Sequence, residues 1–205
     1  MKIAIVGTGN VGGALATHWA NQGHEIYLGV RNVDQFKGRE LLLNPSTRVF
    51  PVEEAVRQAE VILISTPAVA AVEVAQSLGD TEGKVILDAM NIVKGRGPLG
   101  YSTTAQAILD HTATRDVVKC FNITGYNNMK DPRYGDQALD MFVAGESERG
   151  KSMARLLAFD AGFGNCYSIG GNEAFETLEQ FAWFWINLAM FQGLGREIGF
   201  KLLTR

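Results

Sequence analysis

Cysteine is scarce in this chain, with only Cys120 and Cys166 in 205 residues, so neither a disulfide framework nor a cysteine metal cluster is available. Both lie in apolar, strand-like runs and read as buried free thiols. Histidine is scarce too, and its three residues are poorly placed for catalysis: His18 sits within a helix, His24 in a turn and His111 at a helix end. No Ser–His–Asp or Cys–His set falls at any strand end, which excludes triad hydrolysis. No metal site is expected. Charge of one sign is also missing: the net charge is −3, which argues against nucleic acid or an anionic membrane as partner. The longest apolar stretch, Phe181 to Phe191, falls far short of the ~20 residues that cross a bilayer. The lone lysine and short apolar segment at the start do not read as a signal peptide, so a cytoplasmic setting is expected.

Glycine is abundant, at 23 residues, and its placement carries the first positive signal. Lys2–Val6 is a short apolar strand that runs into Gly7-Thr8-Gly9-Asn10-Val11-Gly12 and then into a helix from Gly13 to Ala20. Glu25–Val30 follows as a second strand. A G-x-G-x-x-G turn between a strand and a helix, with a second strand inside about 30 residues, is a dinucleotide-binding arrangement. Gly7 permits the tight turn, Gly9 lets a pyrophosphate approach the backbone, and Gly12 lets helix and strand pack closely. The helix N-terminus then offers free N–H groups to the phosphates.

The second strand ends in Val30-Arg31-Asn32, with no acid before Asp34. A carboxylate there would hold the ribose 2′-hydroxyl of NAD, whereas a guanidinium suits a 2′-phosphate, so NADP(H) is the expected cofactor.

Downstream, Val33 to Leu43 reads as helix, Arg48–Phe50 as strand, and Val61–Ile64 as a strand buried on both faces. The latter ends in Ser65-Thr66-Pro67, and a helix follows from Ala68 to Leu78. Val85–Asp88 opens into a loop from Met90 to Tyr101, followed by a helix near Thr103 to Leu109 and a strand over Val117–Phe121. This alternation predicts an α/β fold: a Rossmann-type doubly wound parallel sheet with a C-terminal helical extension. One domain is expected over 1–205, with a dinucleotide-binding core at 1–125 and the strands and helices of 126–205 completing the site. In such sheets ligands bind outside the carboxyl ends of the strands. Gly7–Gly12, Arg31, Asn32, Ser65, Thr66, Pro67, Met90, Asn91 and Asn122 therefore gather along one edge, with the later ones toward the nicotinamide. A strand near Asp140–Ala144, a helix from Lys151 to Ala161 and a strand near Asn165–Ile169 precede a long helix from Glu173 to Gln192. That helix is apolar nearly all round and must be buried by this domain or by a second subunit, so a homodimer is expected. A short helical tail ends the chain.

Lys119 is a lone charge in an apolar strand near the expected site. It reads as a general base only if burial depresses its pKa, and otherwise as a snorkelling side chain or a structural ion pair. Lys94 and Arg96, in an acid-free loop whose Gly95, Gly97 and Gly100 would let it move as a lid, either receive an anionic acceptor or are solvated.

The segments GTGNVG, GHEIYLGVRN, STP, VVKCFN and NLAMFQGLGREIGFKLL together resemble the NADPH-dependent coenzyme F420 reductases, also called F420-dependent NADP oxidoreductases. The oxidoreductase domain of the six-transmembrane ferric reductases is similar at VVKCFN. The resemblance implies hydride transfer between NADP(H) and a small-molecule redox acceptor, F420 or a flavin (FMN or FAD). It implies Thr8, Gly9, Asn10 and Val11 along the pyrophosphate, Arg31 on the 2′-phosphate, and Thr66, Pro67, Asn91 and Asn122 around the ribose and nicotinamide. Such a reaction needs no protein acid, because the cofactors carry the chemistry. Two other readings stay open: a lysine-assisted dehydrogenase of a small hydroxy acid or imine, and a non-catalytic NADP(H) sensor.

Overall fold

The computed structural model describes residues 1–205. Six parallel strands form the central sheet in the order β3-β2-β1-β4-β5-β6. They are β1 (Lys2–Val6), β2 (Glu25–Val30), β3 (Thr47–Pro51), β4 (Val61–Ile64), β5 (Val85–Asp88) and β6 (Val117–Lys119). The order reverses direction between β1 and β4, where a doubly wound sheet opens its ligand crevice. Helices α1 (Asn10–Asn21), α2 (Val52–Gln58), α3 (Ala71–Ser77) and α4 (Thr104–Asp110) make the crossovers. Every residue of β4 and β5 is buried; the apolar run VILI and the VIL of VILD are what strands covered on both faces require, and β5 ends in the buried carboxylate of Asp88.

Beyond β6 the chain makes α5 (Tyr126–Lys130), a small hairpin of β7 (Arg133–Tyr134) and β8 (Gln137–Ala138), then β9 (Met141–Val143), α6 (Glu148–Asp160) and β10 (Cys166–Ser168). β9 and β10 pair in parallel, and an antiparallel bridge between Lys119 and Ala144 attaches them beside β6. Trp19 of α1, fully buried, ties this half to the first: its indole N–H donates to Leu157 O at 2.9 Å, and its ring meets Phe121 edge-on at 5.7 Å.

Three local expectations fail. Residues 33–38 are a tight loop rather than helix, and only Arg39–Leu43 makes a 3-10 turn. Asn32 Oδ1 accepts from the N–H groups of Asp34 and Gln35, a side-chain turn that competes with helix, and Gly38 stands at φ +92°. The strand expected to reach Phe121 stops at Lys119, and Phe121 takes φ +61°. The long last helix is α7 (Phe175–Ile186), continued by a π-turn over Asn187–Phe191. It covers the span expected of it, and within the single chain Phe184, Met190 and Phe191 are about half exposed. The tail after Gly193 is extended rather than helical. It is held by Asn128 Nδ2 and Trp185 Nε1 on Ile198 O, by Asp140 N–H on Phe200 O, and by Phe200 stacked on Phe181 at 4.6 Å.

Candidate functional site

A cavity of about 1070 Å³ lies along the carboxyl ends of β1, β2, β3 and β4. Its wall combines Gly7, Thr8 and Gly9 with Arg31, Asn32, Ser65, Thr66 and Pro67, residues spread over 60 positions of sequence. Three glycines of the first turn have different reasons to be glycine. Gly7 stands at φ +104°, and a Cβ there would lie 2.7 Å from Ser65 backbone atoms. A Cβ on Gly12 would run into Gly7 O and come within 2.5 Å of Ser65 Oγ. The protein itself therefore demands both. Around Gly9 a Cβ would meet nothing within 4 Å. The fold places no demand on Gly9, so the residue fits a ligand that would occupy that space. Gly9 caps α1 without a side-chain hydrogen bond, and the first turn carries no acid. The first backbone bond into the helix is Gly13 N–H to Gly9 O at 2.7 Å, which leaves the N–H groups of Asn10, Val11 and Gly12 at the helix start for an anion.

The turn is braced from two sides. Ser65 Oγ donates to Gly7 O at 2.7 Å, and Thr8 Oγ1 donates to Lys37 O. The second bond draws the 33–38 loop over the cavity and brings in Gln35, Phe36 and Lys37, which the sequence reading passed over. Lys37 Nζ lies 3.3 Å from Asn10 Oδ1, so a second cation besides Arg31 borders the space beside the helix start. A lysine six positions past Arg31 was visible in sequence; what hid its role was the expectation of a helix there.

Met90, Asn91 and Asn122 lie outside the lining of this cavity. They continue its line from Thr66, whose hydroxyl donates to Met90 Sδ at 3.3 Å. Asn91 Nδ2 donates to Asn122 O at 2.7 Å, and Asn122 Nδ2 donates to Asn91 Oδ1 at 2.9 Å and to Leu178 O at 3.1 Å. Asn122 Oδ1 is buried with no hydrogen-bond partner.

Lys119 neither snorkels nor faces a substrate. It is fully buried, and its ammonium donates to Asp88 Oδ2 at 2.8 Å, Met90 O at 2.9 Å and Thr104 Oγ1 at 2.9 Å, with Glu179 Oε1 at 3.0 Å. A general base must reach the proton it removes. Every donor position of Lys119 is already taken inside the protein, so of the readings left open for it the geometry fits the structural ion pair. The histidines are engaged elsewhere: His18 with Lys130 O, His24 with Asp160, His111 with Tyr101. Lys94 lies over the Phe191 ring at 4.8 Å. Burial, with Cys166 alongside, pushes the Cys120 thiol well above its ordinary range and makes it no nucleophile.

With this geometry in place, the sequence profile of the family described as NADP oxidoreductase coenzyme F420-dependent matches residues 2–92. The match covers less than half of the chain. The match runs from β1 through the glycine turn, Arg31 and the Ser65–Pro67 strand end to the loop after β5. It bears out the resemblance drawn from GTGNVG and its neighbours. Among solved structures, a protein of Arthrobacter sp. FB24 proposed to be an F420-dependent NADP reductase superposes with a TM-score of 0.83 over 100% of both chains at 22% identity. A reductive aminase of Aspergillus terreus, solved with NADPH and ethyl levulinate, gives a TM-score of 0.68 at 18% identity, over 94% of this chain and 62% of that one. Both share the Rossmann fold. A glycerol-3-phosphate dehydrogenase (NAD(P)+) of Thermoanaerobacter sp. is 28% identical over 46% of this chain. The matched stretch spans 32% of that enzyme's length, about a third. No helix is long and apolar enough to cross a membrane.

Proposed function

We propose that this protein transfers hydride from NADPH to a ring acceptor of the deazaflavin or flavin class, F420 or FMN/FAD. The observation that carries the reading is the composition of the cleft. Arg31 and Asn32 stand where β2 ends, with Lys37 in the same wall and glycine backbone at the helix start. The wall's carboxylates, Glu53 and Glu73, come from α2 and α3. At the β5 and β6 ends Asp88 and Lys119 are paired with each other.

In this reading Arg31, with Lys37 beside it, holds the 2′-phosphate, since a guanidinium pairs with phosphate in a bidentate way. Gly9 and the N–H groups of Asn10, Val11 and Gly12 take the pyrophosphate. Thr66, Pro67, Asn91 and Asn122 border the ribose and nicotinamide. The reduced nicotinamide, when bound, supplies the hydride. What the chain contributes is orientation and exclusion of water, and the acceptor's second hydrogen arrives as a proton from solvent. The sealing of Lys119 speaks against lysine-assisted chemistry on a hydroxy acid or imine.

The test is NADPH oxidation by purified protein with F420, FMN, FAD or no acceptor, each repeated with NADH. Turnover with one of these acceptors, and much less with NADH, is expected. Tight NADPH binding with no oxidation by any acceptor would overturn the reading in favour of a sensor.

A further inference from the structure

We propose that the buried cluster of Lys119, Asp88, Glu179 and Thr104 is a positioning device, which sets the backbone of residues 90–92 against the nicotinamide half of the ligand. The inference rests on the dinucleotide reading above, but concerns residues that touch no ligand.

The cluster is built from four segments: Asp88 ends β5, Lys119 ends β6, Thr104 starts α4 and Glu179 lies in the middle of α7. All four side chains are buried. Asp88 Oδ1 accepts from Met90 N–H at 2.9 Å, and Asp88 Oδ2 accepts from Thr104 Oγ1 at 2.5 Å as well as from Lys119. Glu179 Oε2 accepts from Ile92 N–H at 2.7 Å, while Glu179 Oε1 accepts from Thr104 N–H at 3.1 Å. Lys119 itself donates to Met90 O. Both backbone groups of Met90 and the N–H of Ile92 are thus fixed by charged side chains, and hydrogen bonds to charge are short and directional. Asn91 lies between them and forms the amide pair with Asn122, whose other donor bond goes to Leu178 O, next to Glu179. The same charges therefore govern both asparagines of the nicotinamide end. None of these bonds reaches the glycine turn, Arg31 or Lys37.

A buried ion pair is weak evidence for stability, because desolvation offsets the attraction. This one has a lone cation between two carboxylates, fully enclosed, in a sheet edge that apolar residues could fill. Its geometry accounts for its presence better than its energy does: it locks a loop that no strand pairing holds. The account makes Lys119, Asp88, Glu179 and Thr104 positioning residues rather than catalytic ones.

The two halves of the cofactor separate this role from general structural support. Adenosine 2′,5′-bisphosphate carries only the adenine, ribose and 2′-phosphate, so it reads the end the cluster does not touch. Thr104→Val removes the shared hydroxyl with little change of shape, and Thr104→Ser restores it. Expected for Thr104→Val is a loss of about tenfold in NADPH affinity, about 1.4 kcal/mol, and a similar fall in kcat with whichever acceptor the wild type uses. Adenosine 2′,5′-bisphosphate should bind within twofold of wild type, and Thr104→Ser should recover both losses. Glu179→Gln, which cannot accept at both oxygens, should show the same split. Equal weakening of both ligands, or NADPH binding and kcat within twofold of wild type in Thr104→Val, would overturn the proposal. Lys119→Met is the harsher variant and is not needed for the decision. Failure of wild-type protein to bind NADPH would sink the dinucleotide reading instead, and would be seen before any variant is made.

Discussion

Gly9→Ala and Gly12→Ala are both single methyl additions, three residues apart in one turn, and they should have opposite effects on the free protein. At Gly12 the new methyl would collide with Gly7 O and Ser65 Oγ, both fixed by the Ser65-to-Gly7 hydrogen bond at 2.7 Å. Overpacking of that kind costs about 1–3 kcal/mol. For a chain of this size each kcal/mol moves Tm by roughly 2–4 °C, so a fall of several degrees is expected. At Gly9 the methyl would meet nothing within 4 Å, and the backbone (φ −78°, ψ −154°) is extended. Alanine there restricts the unfolded chain and should raise stability by up to about 1 kcal/mol. The same methyl would stand where a pyrophosphate must touch the backbone. Displacing the phosphates at a cost of about 1.4–2.8 kcal/mol weakens NADPH binding by ten- to a hundredfold. Thermal unfolding without nucleotide and fluorescence titration with NADPH read the two quantities. A Gly9→Ala protein that binds NADPH as wild type does, or that loses as much Tm as Gly12→Ala, would refute this account of the turn.

Other outcomes follow from the same structure. Arg31→Ala should weaken NADPH about tenfold, or about 1.4 kcal/mol, and leave NADH affinity unchanged; equal loss for both nucleotides in titrations would count against a 2′-phosphate role. Glu173 sits after Gly171, and hydrogen bonds from its own N–H and that of Gly171 hold its carboxyl below the usual range. A depressed folded pKa contributes stability above the unfolded value, near pH ~4.3, and loses it as pH falls through the folded value. Wild type should therefore exceed Glu173→Gln in Tm at neutral pH, and the gap should close below about pH 4; a gap that persists in acid would contradict that. Cys120 and Cys166 are buried and should resist a disulfide-forming thiol reagent until the protein is unfolded, which a labelling time course with and without denaturant would show.

The architecture of the sheet was largely legible in the sequence because it rests on local patterns. VILI and Val85-Ile86-Leu87 are unbroken apolar runs, and a glycine turn between a strand and a helix has few other uses. Two of the failures come from competing hydrogen bonds, some local and some to distant partners. Residues 33–38 have helical composition, but Asn32 and Thr8 give their backbone other hydrogen bonds. The tail from Gly193 is extended because Asp140 and Asn128 and the Phe181 ring hold it, all of them far away in sequence. Lys119 looked like a lone charge for the same reason: Asp88 precedes it by 31 residues and Glu179 follows by 60. In the cleft, the glycines, Arg31 and the Ser65–Pro67 strand end could be read from motif and strand position. Lys37, the amide pair of Asn91 and Asn122, and the unpaired Asn122 Oδ1 needed coordinates.

Direct hydride transfer is the central claim, and a single-turnover experiment tests it most directly. Protein loaded with NADPH carrying deuterium at the transferring position of C4 is mixed with F420, and both the rate and the fate of the label are followed. The account predicts slower reduction than with unlabelled NADPH and deuterium retained on the carbon of the reduced deazaflavin that accepts hydride. F420 reduced at the same rate with either NADPH, and recovered without label, would contradict it.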